Sequence, residues 1–489
     1  MKNVLAFDLG ASSGRAIAGA YDGSRLTLSE LHRFSNDPVM LGNTFYWDFP
    51  RLIHEIKTGI SKANLTGTAF DSLGVDTWGV DFGLVTKSGR LVDNPVHYRD
   101  ARNIPMPAEV FAKVPARDIY ASTGIQTMDL NTIFQVYYLA TRSPELLTAA
   151  DSLLFTPDLI NFFLSGARVS EYSIASTSQL LNARKRTWDT ALCDRLGIPT
   201  HLLREIVDPG TTVGRLTPAI CEELGVQPLD IVATTGHDTA AAVAAVPTDG
   251  GDNWAYLSCG TWSLLGLELP EPFINDAAFD ANFTNEGGVN HTTRFLKNII
   301  GLWLMQETRR AWIRESGPIS FKEIDALTVQ AKPLTRFIDP DYPEFARPGQ
   351  MPEKIAAYLA RTGQPAPDFR GDISRLITES LAMKYRVALD DLERLTGRKI
   401  DTLHIIGGGV QDTLLCECTA NATGRTVVAG PIEATAAGNV LVQLFAAGEF
   451  KSIDEARACV KRSFPITVYE PHERALWEDA YGRYRKIIE

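Results

Sequence analysis

Short apolar stretches, each followed by a cluster of small and polar residues, recur along the chain. Val4–Asp8 predicts a buried strand, Leu9–Arg15 predicts a turn of small residues, and Ala16–Tyr21 predicts a second strand. Trp254–Glu268 repeats this order of strand, Gly/Ser/Thr loop and strand. Such an echo, one in each half of the chain, predicts two related α/β domains. We place their boundary near Val246, which gives domains over residues 1–246 and 247–489.

Other segments have the period of a helix or of a strand. Helices are predicted at Leu52–Ala63, Asn131–Ala140, Pro157–Phe163 and Asp372–Thr396. Further strands are predicted at Leu26–His32, Ser72–Phe82, Ile231–Thr235 and Thr402–Ile406.

The stretch Ile231–Val246 joins a buried strand to an Ala/Val-rich helix, with a break at Gly236. His237, Asp238 and Thr239 follow that break, which places Asp238 near the first turn of the helix. A carboxylate there is favoured by the helix dipole by about 0.3–1 kcal/mol, which keeps it ionised as a base must be. The alternative is that Asp238 only caps the helix.

Composition narrows the classes of function. The chain has 489 residues, 45% hydrophobic and 22% charged, which is typical of a globular protein with more than one core. A formal net charge of −11 argues against nucleic acid as a partner. No stretch approaches a membrane span, and the first residues predict a core strand, not a signal peptide. The six scattered cysteines predict a cytoplasmic protein with free thiols.

Three loops are rich in small residues that suit an anion held by backbone N–H groups. Two are the related hairpin loops, and the third is Gly407–Gly409, between a strand and a helix. Neither hairpin matches the P-loop or the dinucleotide fingerprint, so those folds are disfavoured. Asp8 ends the first strand beside the first loop, and a carboxylate next to a phosphate predicts Mg²⁺ held through water. The alternative is that Asp8 is only a residue of the turn.

Four motifs together resemble one family: Asp8–Arg15, Gly236–Thr239, Leu257–Ser263 and Ile406–Gly409. They are similar to those of the FGGY family of carbohydrate kinases, which has the actin/hexokinase/Hsp70 ATPase fold. The resemblance implies an α/β protein with two related ribonuclease H-like domains around a central cleft. The first domain would carry the sugar site, the first phosphate loop and the base. The second would carry the other phosphate loop and the adenosine site.

Within the family, four further segments resemble the members that phosphorylate L-rhamnulose: Val75–Phe82, Pro95–Arg102, Asn282–Gly288 and Leu296–Trp303. Many relatives have Gly-Gln-Met-His-Gly where this chain has Thr77–Asp81. Cys259 stands where a Ser is usual, a change we expect to be tolerated because the loop acts through its backbone and Thr261.

The resemblance implies ATP-dependent phosphorylation of L-rhamnulose at its primary hydroxyl, with Mg²⁺ and ATP required. By position in the motifs, the implied roles are a base at Asp238; sugar contacts at Gly79, His237, Asp238, Thr239 and Asn298; nucleotide contacts at Ala11, Ser12, Ser13, Gly14, Arg15, Thr261, Gln306 and Gly408; and metal binding through water at Asp8.

Several alternatives stay open. Asp76 and Asp81 lie five residues apart, so in a continuous strand they point to opposite faces, and we favour Asp81 as the one that faces the sugar. For Arg99, Asp100 and Arg102 we favour an ion-pair network over substrate contact. The sugar could also be L-fuculose or D-xylulose, and an actin-like ATPase without a sugar substrate is the alternative from another class. A monomer and a homodimer are equally compatible with the sequence.

Overall fold

The computed structural model describes residues 1–489 and divides into two compact units. The first consists of Met1–Asp249, Glu268–Leu296 and Ala434–Phe464. The second consists of Gly250–Leu267, Lys297–Glu433 and Pro465–Glu489. Each unit therefore combines segments that are far apart in the sequence.

The strands in chain order are β1 (Lys2–Leu9), β2 (Ser13–Tyr21), β3 (Leu26–Ser35), β4 (Val39–Leu41), β5 (Thr44–Tyr46), β6 (Ser72–Thr77), β7 (Phe82–Val85), β8 (Ser152–Phe155), β9 (Ser170–Glu171), β10 (Leu181–Asn182), β11 (Thr187–Trp188), β12 (Ile206–Val207), β13 (Thr211–Arg215), β14 (Asp230–Ala233), β15 (Trp254–Cys259), β16 (Trp262–Leu269), β17 (Thr284–Gly287), β18 (Thr293–Ile300), β19 (Thr402–Ile406), β20 (Thr426–Ala429) and β21 (Thr467–Tyr469).

The α-helices in chain order are α1 (Phe49–Leu65), α2 (Met106–Lys113), α3 (Ala116–Thr123), α4 (Thr132–Arg142), α5 (Pro144–Ala149), α6 (Thr156–Ser165), α7 (Tyr172–Ser176), α8 (Thr190–Leu196), α9 (Pro218–Leu224), α10 (Asp238–Ala244), α11 (Asp276–Asp280), α12 (Trp303–Ser316), α13 (Phe321–Thr328), α14 (Met351–Arg361), α15 (Arg370–Thr396), α16 (Thr413–Thr423), α17 (Ala434–Ala446), α18 (Ile453–Ser463) and α19 (Arg474–Ile488).

The central sheet of the first unit has the order β3-β2-β1-β6-β14-β13. Strands β1, β2 and β3 pair antiparallel, β1, β6 and β14 pair parallel, and β13 is antiparallel to β14. In the other large sheet, β18-β16-β15-β19-β20-β21 follow one another, and β17 precedes β18. There β16 is antiparallel to β15, the strands β15, β19 and β20 are parallel, and β21 is antiparallel to β20. The second sheet thus repeats the first, as the internal repeat predicts.

Helix α1 shows how the sequence specifies a local element. The carboxylate of Asp48 accepts a hydrogen bond from the backbone N–H of Arg51, which satisfies one of the free donors at the helix start. Leu52, Ile56 and Ile60 recur at helical spacing on one face and are almost fully buried. The predicted helix at Leu52–Ala63 is therefore confirmed as part of α1.

The predicted strand over Ser72–Phe82 is wrong in one respect. Strand β6 ends at Thr77, and the next strand, β7, begins at Phe82 and pairs with β8 instead. Val80, in the intervening loop, has a φ of 67°, which no strand residue has. The alternation that we used to compare Asp76 with Asp81 therefore does not hold, because the chain turns between them.

Helix α17 lies against the sheet of the first unit through polar side chains. Asn439 donates a hydrogen bond to the carbonyl of Gly74, and Gln443 donates to the carbonyl of Leu5. Gly438 meets α10 so closely that an added Cβ would stand 1.7 Å from the carbonyl oxygen of Ala241. Only glycine fits there, and this close packing holds α17 against the helix that begins at Asp238.

Two further expectations concern the cysteines, predicted to be free thiols, and the absence of a membrane span. All six cysteines are free, including Cys416 and Cys418 on α16. No helix is both long enough and apolar enough to cross a membrane.

Candidate active site

Two loops of the first unit meet where β6 and β14 end. The backbone N–H of Thr77 donates to the carbonyl of Gly236 at 2.8 Å, which ties the end of β6 to the turn before α10. An added Cβ on Gly79 would stand 3.4 Å from Nε2 of His237 and 3.5 Å from Cγ2 of Thr177. Gly79 and His237, which the sequence placed at the sugar, therefore lie side by side.

Asp238 is the first residue of α10 and does not cap it. The cap position is His237, which makes no side-chain capping hydrogen bond. The side chain of Asp238 is 30% exposed, and its Oδ1 accepts a hydrogen bond from the hydroxyl of Thr239 at 3.2 Å. Burial of the carboxyl raises the pKa of Asp238 above its ordinary 3.8, although His237, Thr239 and Arg294 act in the opposite direction. A higher pKa makes the carboxylate a stronger base.

The buried carboxylate of Glu171 accepts hydrogen bonds that hold the turn before α10 in place. Oε2 of Glu171 accepts from the backbone N–H of Gly236 at 2.9 Å and from the hydroxyl of Ser173 at 2.6 Å. The hydroxyl oxygen of Ser173 in turn accepts from the backbone N–H of His237 at 3.2 Å. Glu171 is 1% exposed, and burial raises its pKa. These hydrogen bonds fix the backbone that presents Asp238.

Asp8 and Arg15 face each other across the first hairpin. They are register partners, and Nη2 of Arg15 lies 2.5 Å from Oδ2 of Asp8. On the other side Asp8 is the register partner of Asp76, whose Oδ2 accepts from Asn439 at 2.6 Å. Burial, then the charge of Asp8 and that of Asp238, raise the pKa of Asp76 well above the usual range. The charges of Asp8 and Asp238 thus both act on Asp76, which lies near the end of β6.

Asp81, which we favoured as the residue that faces the sugar, is instead held within the protein. Its side chain is fully buried, and its oxygens accept hydrogen bonds from the indoles of Trp47 and Trp78, at 2.6 and 2.9 Å, and from the amide of Gln135 at 3.1 Å. Burial raises the pKa of Asp81 to about 6. The ring of His97 stacks on Trp47, with centroids 4.2 Å apart. Asp81 therefore anchors a buried aromatic cluster that supports the loop around Gly79.

Contacts within the protein hold Asp100 and Arg102 of the Pro95–Arg102 loop, and the ion-pair network that we favoured there stays a prediction. The carboxylate of Asp100 accepts from the backbone N–H groups of Phe45 and Arg102. The guanidinium of Arg102 lies over the ring of Tyr138, 5.0 Å from its centroid. Both groups thus stabilise the loop itself.

The nucleotide residues predicted in the second half of the chain lie in the second unit. The hydroxyl of Thr261 donates to the side chain of Gln306 at 3.4 Å, so the second hairpin loop and α12 meet. Gly408 follows β19 and has open space around it, whereas an added Cβ on Gly409 would stand 2.2 Å from Sγ of Cys259. Asn298, half-buried, lies on the part of β18 that belongs to this unit.

Sequence models of two domains match the chain. The N-terminal domain of the FGGY family of carbohydrate kinases matches residues 3–245, and its C-terminal domain matches residues 255–447. The chain belongs to the FGGY family of carbohydrate kinases. It is 42% identical over 487 residues to a rhamnulokinase of Bacteroides thetaiotaomicron, a match that covers 100% of this chain and 99% of that protein. It is 40% identical over 472 residues to a rhamnulokinase of Enterococcus faecalis, covering 96% and 94%.

Solved structures of two other kinases share the fold. A ligand-bound xylulose kinase of Lactobacillus acidophilus has a TM-score of 0.80 at 15% identity, covering 100% of this chain and 98% of that one. A glycerol kinase of Plasmodium falciparum with ADP has a TM-score of 0.80 at 14% identity, with the same coverage. These likenesses confirm the predicted two-domain fold.

The side chains that support the turn of this FGGY kinase were missed in the sequence. Glu171 and Ser173 lie more than sixty residues from Gly236 and His237. Arg294 was missed too, although a charged residue within the apolar segment Thr293–Ile300 is a signal that a buried ion pair is present.

Proposed function

We propose that this FGGY kinase transfers the terminal phosphoryl group of MgATP to the primary hydroxyl of L-rhamnulose, giving L-rhamnulose 1-phosphate and ADP. The observation that carries the proposal is the convergence of Gly79, His237, Asp238 and Thr239 in one corner of the first unit. Support for the sugar comes from relatives named rhamnulokinase that are 37–42% identical over almost the whole chain.

In this mechanism Asp238 accepts the proton of the attacking hydroxyl. A general base contributes about 10²–10⁴-fold to the rate, and it works best with a pKa closer to neutrality than that of a free aspartate. The burial that raises the pKa of Asp238 supplies that property. Because Glu171 and Ser173 hold the backbone on either side of Gly236, the carboxylate is positioned before the sugar binds.

The remaining groups neutralise charge and hold the reactants. Phosphoryl transfer depends mostly on positioning and on electrostatic stabilisation. Arg15 and the loop residues Ala11, Ser12, Ser13 and Gly14 would bind the nucleotide in the first domain. Thr261, Gln306 and Gly408 would bind it in the second, and Asn298 would contact the sugar.

Asp8 is the residue that we propose for the metal, through water. In the structure no group of three or more His, Cys, Asp or Glu side chains is arranged to enclose a metal ion. Mg²⁺ usually uses one or two carboxylates with waters and substrate phosphates, so a small acidic site fits it better than a closed one. Oδ1 of Asp76, beside Asp8, is buried without a hydrogen-bond partner, which fits a hydrated cation at this point. When bound, Mg²⁺ would neutralise the charge of the phosphates.

The six free thiols support a cytoplasmic location, which is part of the proposal. The sugar is tested by ADP formation with L-rhamnulose, L-fuculose, D-xylulose and glycerol, each at several concentrations. We expect the highest kcat/KM with L-rhamnulose. A higher kcat/KM with L-fuculose or D-xylulose would mean that this ketose, and not L-rhamnulose, is the substrate. Absence of any sugar-stimulated ADP formation would contradict it and favour an ATPase without a sugar substrate.

A further inference from the structure

A buried arginine contacts the histidine that precedes Asp238. Arg294, on β18, is fully buried, and its Nη2 lies 3.0 Å from Nδ1 of His237. The same Nη2 donates to Oε2 of Glu286 at 3.1 Å, and Nε donates to the carbonyl of Gly287 at 2.9 Å. All of these residues belong to the first unit. The guanidinium is thus held in one orientation by two acceptors besides the imidazole.

The contact decides which nitrogen of His237 carries the proton. A guanidinium has only N–H donors and keeps its proton in proteins, so it cannot accept a hydrogen bond. Nδ1 of His237 must therefore be the acceptor, because a hydrogen on Nδ1 would point at the N–H group of Arg294. The neutral imidazole then carries its hydrogen on Nε2.

Glu286 is the competing partner of the same nitrogen. Its Oε2 lies 3.3 Å from Nδ1 of His237, farther than Nη2 of Arg294, and would favour a hydrogen there. However, Oε2 already accepts from Arg294 at 3.1 Å. Burial alone would raise the pKa of Glu286, but the charge of Arg294 lowers it below the usual value. Glu286 is thus ionised and balances the charge of Arg294.

We propose that Arg294 is a positioning residue that fixes His237 in the Nε2–H form, so that His237 donates a hydrogen bond in the sugar site. This inference rests on the proposed function for its kinetic consequence only. Nε2 lies 3.5 Å from Oδ1 of Asp238 and faces Gly79, whose missing side chain leaves the approach open. A donor at this point can hold a sugar oxygen next to the base. It also means that His237 cannot take the proton itself.

The tautomer is read directly by NMR of the full chain labelled with [¹⁵N]histidine, in which the signals of His237 are assigned by their loss in His237→Gln. We expect the shift of a non-protonated nitrogen at Nδ1 and that of a protonated nitrogen at Nε2 in the wild type. A protonated Nδ1 overturns the inference, whichever sugar the enzyme uses and whether or not Asp238 is the base.

The role of Arg294 is tested by two substitutions at that position. Arg294→Gln offers both a donor and an acceptor, so either tautomer is allowed, whereas Arg294→Lys keeps donors only. We expect Arg294→Gln to lower kcat/KM for the sugar about tenfold, the upper range for one hydrogen bond between neutral groups, and to leave the KM for ATP unchanged. Arg294→Lys should retain more activity and the wild-type tautomer.

A double variant separates positioning from loss of structure. The amide nitrogen of Gln in His237→Gln replaces Nε2–H and needs no tautomer, so adding Arg294→Gln should then change kcat/KM less than threefold. Equal losses in both backgrounds would show a merely structural role and contradict the inference. The control is Arg336→Gln, which removes another buried arginine, paired with Asp372 at 3.3 Å. It should lower thermal stability without moving the histidine shifts.

Discussion

The two related hairpins of this kinase each close their loop with a backbone hydrogen bond from a glycine, but they differ in the charge of the side chains beside the loop. In the first, the N–H of Gly10 donates to the carbonyl of Ser13, and Asp8 and Arg15 flank the loop as register partners. In the second, the N–H of Gly260 donates to the carbonyl of Trp262, and Ser258 stands where the first hairpin has Asp8.

The side chains of Cys259, Ser263 and Tyr385, which contact one another under the second loop, are neutral. The hydroxyls of Ser263 and Tyr385 lie 2.7 Å apart, and Cys259 packs against Gly409. Burial raises the pKa of the Cys259 thiol to about 12, so the thiol stays uncharged. The duplicated hairpin thus provides N–H groups twice, whereas only the first copy has a carboxylate and an arginine as register partners beside its loop. We therefore expect the charge-sensitive chemistry to belong to the first unit.

Matched substitutions at the equivalent positions test that difference with the largest effect. Asp8→Asn removes a carboxylate that the proposal gives to the metal, and we expect kcat to fall about 10²–10³-fold, as it does when one preorganised electrostatic group is lost. Ser258→Ala should stay within about threefold of wild type because it removes no charge. Steady-state ADP formation at several Mg²⁺ concentrations measures both. Equal losses in the two variants would break the comparison.

The pH dependence sharpens the same contrast. Asp238 must be ionised to accept a proton, and burial raises its pKa above 3.8. We therefore expect kcat/KM to fall by about tenfold per pH unit on the acidic side, below an apparent pKa higher than that of a free aspartate. Ser258→Ala should leave this acidic decline of kcat/KM unchanged. A decline that begins only at or below pH 3.8 would contradict the assignment of Asp238 as the base.

Alanine substitutions of the neighbouring glycines Gly408 and Gly409 should differ in their effect on the stability of the protein. Gly409→Ala places a methyl group 2.2 Å from Sγ of Cys259 and should lower the free energy of unfolding by about 1–3 kcal/mol, the usual effect of overpacking. Gly408→Ala meets no atom within 4 Å and should change it by less than about 0.5 kcal/mol. Because Gly408 is proposed to contact nucleotide, its variant should instead raise the KM for ATP. Denaturant unfolding and kinetics measure the two effects, and identical stabilities would contradict the packing.

The smallest effect is expected beneath the second loop. Tyr385→Phe leaves the buried hydroxyl of Ser263 without its 2.7 Å partner and should lower the free energy of unfolding by about 1–2 kcal/mol. Activity should stay within about threefold of wild type, because the neutral pair carries no charge for the reaction. Thermal unfolding and the ADP assay check this. A large loss of kcat would show that the second copy takes part in the chemistry.

Much of the fold could be predicted from local pattern. The hairpins, α1 and the turn before Asp238 follow from periodicity and from the placement of glycine. The break after Thr77 was missed, because the apolar residues around Trp78 continue the strand pattern through the turn. No local rule indicates that Val80 adopts a left-handed conformation.

The support of the site was not predictable from spacing. Glu171 contacts Gly236 across 65 positions, and Arg294 contacts His237 across 57. Such pairs depend on how strands and helices pack, which a single sequence does not specify. Asp8 and Asp238 could be singled out by their place beside glycines at the ends of strands, whereas the other site residues were assigned only by the resemblance to the FGGY family.

The central claim is that Asp238 takes the proton of the sugar hydroxyl. The most direct test is Asp238→Asn in a single-turnover experiment with L-rhamnulose and MgATP, with binding of both ligands measured by calorimetry on the same preparation. We predict that phosphoryl transfer slows by about 10²–10⁴-fold while both ligands still bind with near wild-type affinity. An asparagine variant that transfers phosphate as fast as the parent would contradict the account.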